Sequence, residues 1–416
     1  MTVSPTDFGD TSVVPPLTRA AWFATLAGLC GSLVAIGLAR FAYTPLIPPL
    51  IEAHWFSSAD AVTLGAANLA GYLAGALFGR PVAQLLSNRW ALRLMMLVAT
   101  VAFFACAYPL SVAWFFAWRF LSGISGGSIM VLVATTVLPH IPIAKRNFAS
   151  GMIFLGLGLG IAASGTLIPG LLQLGLRQTW IGLGILSLFL TALSWFGWPS
   201  SEQPESTANV SKEKKVGTGI SLWILYGQYA ANALGLVPAM ILLVDYVARG
   251  LGLGAATGST YWILFGLAGI VGPMVTGYSS NRIGNRRTYR IALFLQIVAL
   301  GLLAFTTNLA SIGISTVILG LFTVGVVQIV LGRVHDILPN DNSAQRTAWS
   351  RATVIFSVFQ ALSAYGYAYI FKHTGGNYSL IFLCGLVALA AAFAVDFLDL
   401  SSKASGSLPD RASAEF

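Results

Sequence analysis

Long apolar stretches alternate with short polar segments along nearly the whole chain. Each stretch has about 20 residues or more, which is enough for an α-helix to cross roughly 30 Å of hydrocarbon. The pattern predicts twelve membrane spans, near residues 22–47, 61–86, 91–110, 113–138, 148–173, 179–198, 220–246, 256–278, 289–307, 310–334, 350–371 and 378–398.

Composition supports this prediction. Of the 416 residues, 56% are hydrophobic and only 9% are charged, and the mean hydropathy is +0.79. Soluble domains contain about 25% charged residues, so a soluble globular protein is excluded. The sequence therefore predicts an all-α membrane protein.

Residues 1–18 are polar and acidic, without the features of a cleavable signal peptide, and the first span is expected to act as an uncleaved signal. Cys30, Cys106 and Cys384 lie in predicted spans, so no disulfide framework is expected.

The basic residues are distributed unequally between the two sides of the predicted membrane. If both termini are inside, 18 of the 23 Lys and Arg residues fall on the inner side, 3 on the outer side, and Arg40 and Arg119 lie within spans. This bias predicts both termini in the cytoplasm, in a bacterial-type inner membrane. It also accounts for the net charge of +9, so nucleic acid is not a predicted partner.

The chain divides at its longest internal polar segment. Residues 199–219 are rich in Pro, Ser, Glu and Lys, and are predicted to form a cytoplasmic linker between residues 1–198 and 220–416. The two parts resemble each other in their polar loops. A shift of 193 aligns Asn88-Arg89 with Asn281-Arg282, and a shift of 200 aligns "VLPHIPIAKRNFAS" with "ILPNDNSAQRTAWS". Two such halves are typical of a carrier with its site between them.

Two loops and one span carry a resemblance to a known family. "GYSSNRIGNRR" (277–287) resembles the signature loop of the major facilitator superfamily, with Asn281 in place of the usual Asp. In "LLSNRWALR" (85–93), Asn88 replaces the same Asp, and "RFLSGISGG" (119–127) resembles the fourth-span motif of that superfamily. "GLARFAYTPLIPPL" and "ANLAGYLAGALFGR" resemble its YbfB/YjiJ branch.

The resemblance implies two pseudo-symmetric six-helix bundles, a monomer, and a small-molecule substrate carried across the lipid bilayer. It also implies a cytoplasmic gate formed by Asn88, Arg89, Asn281, Arg282 and Arg286. The asparagines carry no charge, so this gate is expected to be weaker than, or built differently from, that of the family.

Arg40 and Arg119 are the charged residues that lie deepest in the apolar spans. At 1.5 Å per residue, both are expected within about 10 Å of the outer boundary. By resemblance, their spans line a central cavity. A buried guanidinium persists when it pairs or faces a wet cavity, and the first six spans contain no deep acidic residue. Arginine suits carboxylates and phosphates, so we hypothesise that both arginines bind an anionic substrate, a carboxylate.

Structural roles are the alternative for both arginines. Arg40 can snorkel to the interface or hold carbonyls freed by Pro45, and Arg119 can be a structural or coupling residue. Pro45, Pro48 and Pro49 are predicted to break the first span, and Pro238 the seventh. Further candidate substrate-binding residues are Tyr43, Asn68, Tyr72, Gln228 and Asn232, with Gln328 and Gln360 as weaker candidates. The alternative for these is helix packing.

No titratable residue is plainly central. Candidates for coupling are Asp245, His335 and Asp336, and both anion exchange and proton symport with the anion remain open. The chain lacks the motifs of ATP binding, zinc hydrolysis and serine hydrolases, so no enzyme activity, cofactor or metal is predicted. One alternative function is a proton-linked exporter of lipophilic or cationic compounds, favoured by the glycine-rich fifth span. The other is a membrane receptor or scaffold, disfavoured by the short outer loops.

Overall fold

The structure is a computed structural model that describes residues 18–142, 145–200, 220–339 and 341–405. Within these residues every regular element is helical, and twelve helical segments are long and apolar enough to cross a membrane. They are α1 (Arg19–Glu52), α2 (Ser58–Leu86), α3 (Asn88–Cys106), α4 (Val112–Val137), α5 (Arg146–Leu172), α6 (Leu176–Ser194), α7 (Ile220–Gly250), α8 (Gly254–Ile283), α9 (Asn285–Phe305), α10 (Leu309–Ile337), α11 (Asn342–His373) and α12 (Tyr378–Ser405). The prediction of twelve spans in an all-α membrane protein is confirmed.

Several helices are longer than the predicted spans. The helix α11 begins at Asn342, whereas its predicted span begins at residue 350. Apolar patterning marks only the part of a helix that lies in hydrocarbon, so polar turns at the ends are missed. Because the number of spans is even, α1 begins and α12 ends at the same end of the bundle. We call this end the termini face and the opposite end the far face.

The helix α1 is interrupted where prolines were expected to break it. An α-helix ends at Phe41, a 3₁₀ turn follows at Thr44–Leu46, and Ile47–Glu52 is α-helical again. Proline has no N–H to donate to the preceding turn, so Pro45 cannot continue the hydrogen bonds. A π-helical stretch at Leu33–Leu38, which the sequence did not reveal, lies immediately before this break.

The helix α7 is not broken at Pro238, so the predicted break there is wrong. It remains α-helical from Ile220 to Asp245 and becomes π-helical only at Tyr246–Gly250. Proline leaves the carbonyl four residues earlier without its helical donor. That carbonyl belongs to Leu234, and the Tyr367 hydroxyl of α11 donates to it at 2.9 Å. The neighbouring helix therefore supplies the missing hydrogen bond.

Glycine allows α2 and α4 to pack closely. A methyl group at Gly71 would overlap the carbonyl oxygen of Phe120, and one at Gly75 would overlap that of Ile124. From the other side, a methyl group at Gly127 would overlap the carbonyl oxygen of Tyr72. The two backbones are therefore in direct contact, which small residues at a helix interface permit.

Helices α1–α6 and α7–α12 contact each other mainly through two helix pairs, α5 with α8 and α2 with α11. Gly165 packs on Ile263, and the Trp262 indole N–H donates to the Ser164 hydroxyl at 3.0 Å. These residues lie in the half of each helix nearer the far face. The structure is thus closed at the far face.

The turn between α2 and α3 has a counterpart between α8 and α9. Ser87 (φ 76°, ψ 151°) and Gly284 (φ 84°, ψ 153°) have almost the same left-handed backbone conformation, and each is followed by a helix that begins with Asn-Arg. In the structure, Asn88 therefore corresponds in position to Asn285 and not to Asn281. The predicted alignment of this loop is wrong by one helical turn, because Asn-Arg occurs twice in the second loop.

Arg93 and Arg290 occupy equivalent positions in α3 and α9, and each contacts a neighbouring helix, one through a carbonyl oxygen and the other through a carboxylate. Arg93 of α3 donates to the carbonyl oxygen of Trp195, at the end of α6, at 2.7 and 3.0 Å. Arg290 of α9 pairs with the Asp396 carboxylate of α12, which also accepts from Gln228. The division into bundles 1–198 and 220–416 remains a prediction, and residues 201–219 of the predicted linker lie outside the described residues.

Candidate substrate site

A small cavity lies between the two groups of helices, near the break in α1. Its volume is about 20 Å³, which is room for about one water molecule. Its lining residues come from α1, α2, α4 and α7, and are Arg40, Phe41, Tyr43, Thr44, Gly65, Asn68, Leu69, Arg119, Met240 and Ile241. Both span arginines therefore reach one cavity, as their predicted depths suggested.

Arg119 is buried and partly engaged within the protein. Its side chain is 3% exposed, and its Nη1 donates to the carbonyl oxygen of Ala39 at 2.6 Å. This carbonyl lies where α1 loses its regular helix, so Arg119 stabilises the break. The guanidinium also lies 4.3 Å from the centre of the Tyr43 ring, a favourable cation–π distance. Its buried Nε has no hydrogen-bond partner among the described residues.

Arg40 has weaker partners. Its Nη2 lies 4.0 Å from the Met240 sulfur, and its guanidinium lies 5.1 and 5.2 Å from the rings of Phe41 and Tyr72. A thioether is a weak acceptor, and the buried Nε of Arg40 has no partner among the described residues. The charge of Arg40 is thus held by aromatic faces and one sulfur atom.

Neither arginine is neutralised. Among the described residues, no carboxylate lies within ion-pair distance of Arg40 or Arg119. Arg119 is buried and Arg40 is half-buried, and two positive charges at one cavity repel each other and are costly to remove from water. Both guanidinium groups can act as hydrogen-bond donors to a group that enters the cavity.

Three other candidate residues surround the arginines. The Tyr43 hydroxyl donates to the Ala61 carbonyl at 2.8 Å, and the Asn68 amide donates to the Ser122 hydroxyl at 2.9 Å. Tyr72 lies under Arg40. Tyr43 and Asn68 are thus held by hydrogen bonds close to the arginines. Ser122 is a polar neighbour that the sequence did not single out.

Gln228 and Asn232 are placed away from this cavity. The Gln228 amide donates to the Asp396 carboxylate at 3.4 Å, and the Asn232 amide donates to Gln296 at 3.0 Å. Their shared face of α7 therefore packs on α9 and α12. Their spacing of four residues predicted one common face, but could not say which helix that face meets.

The predicted gate residues differ in their exposure and in their contacts. Asn88 and Arg89 are half-buried at the start of α3, whereas Asn281 and Arg282 are exposed in the last turn of α8. Arg286 lies 3.6 Å from the Asp396 carboxylate of α12. The gate remains a prediction.

The coupling candidates also lie apart from the cavity. Asp245 is buried at the far-face end of α7, where it accepts from the Tyr378 hydroxyl at 2.5 Å and pairs with Arg249 at 3.2 Å. His335 and Asp336 are exposed near the termini face, and Asp336 accepts from Asn285 at 3.1 Å. No group of three or more metal-binding side chains occurs within the described part of the chain.

A larger groove lies along α1 nearer the termini face. Its volume is about 450 Å³, and it is almost wholly apolar. It is lined by Arg19, Trp22, Phe23, Thr25, Leu26, Leu29 and Met152. Arg19 is its one charged lining residue.

Comparison with known proteins places this architecture in a family. A family model described as "Uncharacterised MFS-type transporter YbfB" matches residues 32–396. The chain belongs to this family. It is an MFS-type transporter and a multi-pass membrane protein, as the resemblance in its loops and first two spans implied. A comparison of the sequence with curated proteins returned no match.

Solved structures show the same fold. A bacterial homolog of the human lysosomal transporter Spinster, in an inward-facing and unoccupied conformation, superposes with a TM-score of 0.70 and 14% identity, over 93% of this chain and 98% of that one. A D-xylose-proton symporter superposes with a TM-score of 0.68 and 15% identity, over 89% and 96% of the two chains. At these identities the likeness supports the MFS fold alone.

Proposed function

We propose that this MFS-type transporter carries a small organic anion, with its carboxylate bound between Arg40 and Arg119. The observation that carries the proposal is that two unneutralised arginines line one buried cavity between the two groups of helices. Residues 1–198 and 220–416 move against each other and expose this cavity to each side in turn. The cavity has room for about one water molecule, so it must widen to admit the anion.

Physical chemistry favours an anion over a cation. A cation would add a third positive charge to a site without a carboxylate, whereas a carboxylate would satisfy the orphaned guanidinium nitrogens and remove the repulsion. The anion itself can carry a proton, or be exchanged for a second anion. Neither mode requires a titratable residue in the cavity.

The test is thermal unfolding of the purified protein in detergent with a panel of carboxylates, phosphates, amines and lipophilic cations. A ligand at about 100 times its Kd should add about 2.7 kcal/mol of stability. We expect a carboxylate to stabilise the wild type but neither Arg40→Ala nor Arg119→Ala. Arg177→Ala is the matched control, because Arg177 also stacks on a tyrosine, Tyr108, at 4.2 Å, outside the cavity. If anions stabilise both cavity variants as they do the wild type, the proposal is wrong.

One observation favours a second function, export of lipophilic compounds. The apolar groove of about 450 Å³ along α1 can hold a large apolar molecule. In that case only lipophilic cations in the panel would stabilise the protein, and Trp22→Ala would reduce their effect. Arg40 and Arg119 would then be structural or coupling residues.

We also propose that the termini face is cytoplasmic and that the membrane is a bacterial-type inner membrane. The support is the excess of basic residues predicted on that side. An impermeant thiol reagent added to intact cells tests this proposal. It should label a cysteine in place of Gln173, in the exposed loop between α5 and α6, and should spare one in place of Asn281. The reverse result would invert the orientation.

A further inference from the structure

Met240 of α7 lines the small cavity, and its polar contacts reach α1 and α11. Its carbonyl oxygen accepts from the Thr44 hydroxyl of α1 at 2.6 Å. Its sulfur lies 4.0 Å from Arg40 Nη2, and 3.9 Å from the amide nitrogen Nε2 of Gln360 in α11. Two strong donors, from opposite groups of helices, thus converge on one thioether.

Gln360 is poorly satisfied in this arrangement. Its side chain is 2% exposed, and its Oε1 has no hydrogen-bond partner among the described residues. A buried polar group without a partner costs about 1–3 kcal/mol, and a sulfur atom is only a weak acceptor for the Nε2 donor. Turning the amide over exchanges its two ends and leaves the same deficit. A buried amide in this state lacks a polar ligand.

We propose that Gln360 is a substrate-binding residue contributed by the second group of helices, and that the cargo is an acid with a hydroxyl group next to its carboxylate. This inference rests on the proposed function. The Nη2 of Arg40 and the Nε2 of Gln360 lie no more than 7.9 Å apart, the sum of their distances to the sulfur. Two hydrogen bonds of about 2.9 Å with one carboxylate group between them span about this distance, so the two donors are close enough to share one carboxylate.

The amide of Gln360 matches a hydroxy acid at both ends. Its Nε2 donates to the carboxylate, and its Oε1 accepts from the hydroxyl, which an acid without that group cannot supply. Met240 occupies this place when no ligand is bound. Its unbranched side chain is flexible, so it can move aside when the cargo enters.

Two pairs of probes that differ by one hydroxyl group test the inference: lactate with propionate, and malate with succinate. Kd is measured by thermal shift and calorimetry on the purified full-length protein. In the wild type, we expect the hydroxy acid of at least one pair to bind at least about tenfold more tightly, the effect of one well-made hydrogen bond. Gln360→Leu should remove this preference and leave the two Kd values within about twofold.

The control is Gln328→Leu, the same change in α10 at an exposed side chain. It should keep the preference. Because Gln360→Leu can fail to fold, Met240→Leu provides a second measurement. It removes the competing sulfur at similar volume, so it should tighten the binding of the hydroxy acid and leave Gln360 in place.

The outcomes separate this inference from the proposed function. If both arginine variants lose carboxylate binding while Gln360→Leu keeps the hydroxyl preference, the role of Gln360 is wrong and the anion carrier stands. If no carboxylate stabilises the wild type, or the arginine variants bind as the wild type does, both proposals are wrong. If the wild type binds the two members of each pair equally, only the proposal that the cargo is a hydroxy acid is wrong.

Discussion

The hydroxyl of Thr44 in α1 donates a hydrogen bond of 2.6 Å to the carbonyl oxygen of Met240 in α7. Thr44 belongs to the 3₁₀ turn that follows the break in α1, so the break brings this hydroxyl to the other group of helices. The bond crosses between the two groups at the closed far face. It can exist only while that face is closed, and it therefore contributes to the balance between the two access states.

Replacing Thr44 with valine should shift this balance towards opening at the far face. The loss of one buried hydrogen bond, about 1 kcal/mol, corresponds to about a fivefold change in the population ratio. The readout is the rate at which an impermeant maleimide labels a cysteine in place of Ile241, after the native cysteines are replaced. Thr63→Val is the control, because the Thr63 hydroxyl donates to Ala59 in its own helix at 2.8 Å. An unchanged rate in Thr44→Val would show that the bond does not hold the face closed.

The two cavity arginines should differ in what they contribute to the unliganded protein. Arg119→Met removes the donor to the Ala39 carbonyl and should lower the free energy of unfolding by about 2 kcal/mol. Arg40→Met removes a charge whose nearest acceptor is a sulfur atom, so stability should stay the same or rise. Thermal unfolding without ligand measures both variants. Equal losses would mean that Arg40 has a structural partner comparable with Ala39.

The close contact of α2 with α4 should be sensitive to a single methyl group. Gly75→Ala would overlap the carbonyl oxygen of Ile124 and should cost about 1–3 kcal/mol, because the helices must separate. Gly227→Ala in α7 meets no atom within 4 Å and should stabilise its helix by about 0.5–1 kcal/mol. The two unfolding temperatures should therefore move in opposite directions. A tolerated Gly75→Ala would mean that this helix pair is loose.

Asp396 should be essential to the packing of α9 against α12. Asp396→Asn removes the carboxylate that both Arg286 and Arg290 contact. Both arginines are partly exposed to water, so the expected loss is about 2–3 kcal/mol. Asp336→Asn is the matched control, since Asp336 is exposed and contacts only the neutral Asn285 amide among its described hydrogen bonds. Similar small losses in both variants would contradict this role of Asp396.

Much of the fold could be predicted because the bilayer imposes simple rules on a sequence. Apolar length fixed the number of spans, and the missing N–H of Pro45 located the break in α1. The same proline rule failed at Pro238, because the Tyr367 hydroxyl that replaces the lost donor comes from a helix more than a hundred residues away. Local rules do not include such partners.

The site was predictable only in part, for a related reason. The cost of burying charge singled out Arg40 and Arg119, and the structure brings them to one cavity. Nothing in the apolar run of α7 distinguishes Met240, and spacing alone does not separate Gln360 from Gln328. Which face of a helix meets the cavity depends on how the twelve helices are arranged. That arrangement also turns Gln228 towards Asp396.

The turn at Ser87 has the shape of its counterpart at Gly284 but not its residue type. Its backbone conformation is one that essentially only glycine adopts without strain, and the matching turn has Gly284. The first half therefore keeps a glycine-type turn without its glycine. Two turns at corresponding places in the chain thus share one backbone shape, although only Gly284 adopts it without strain.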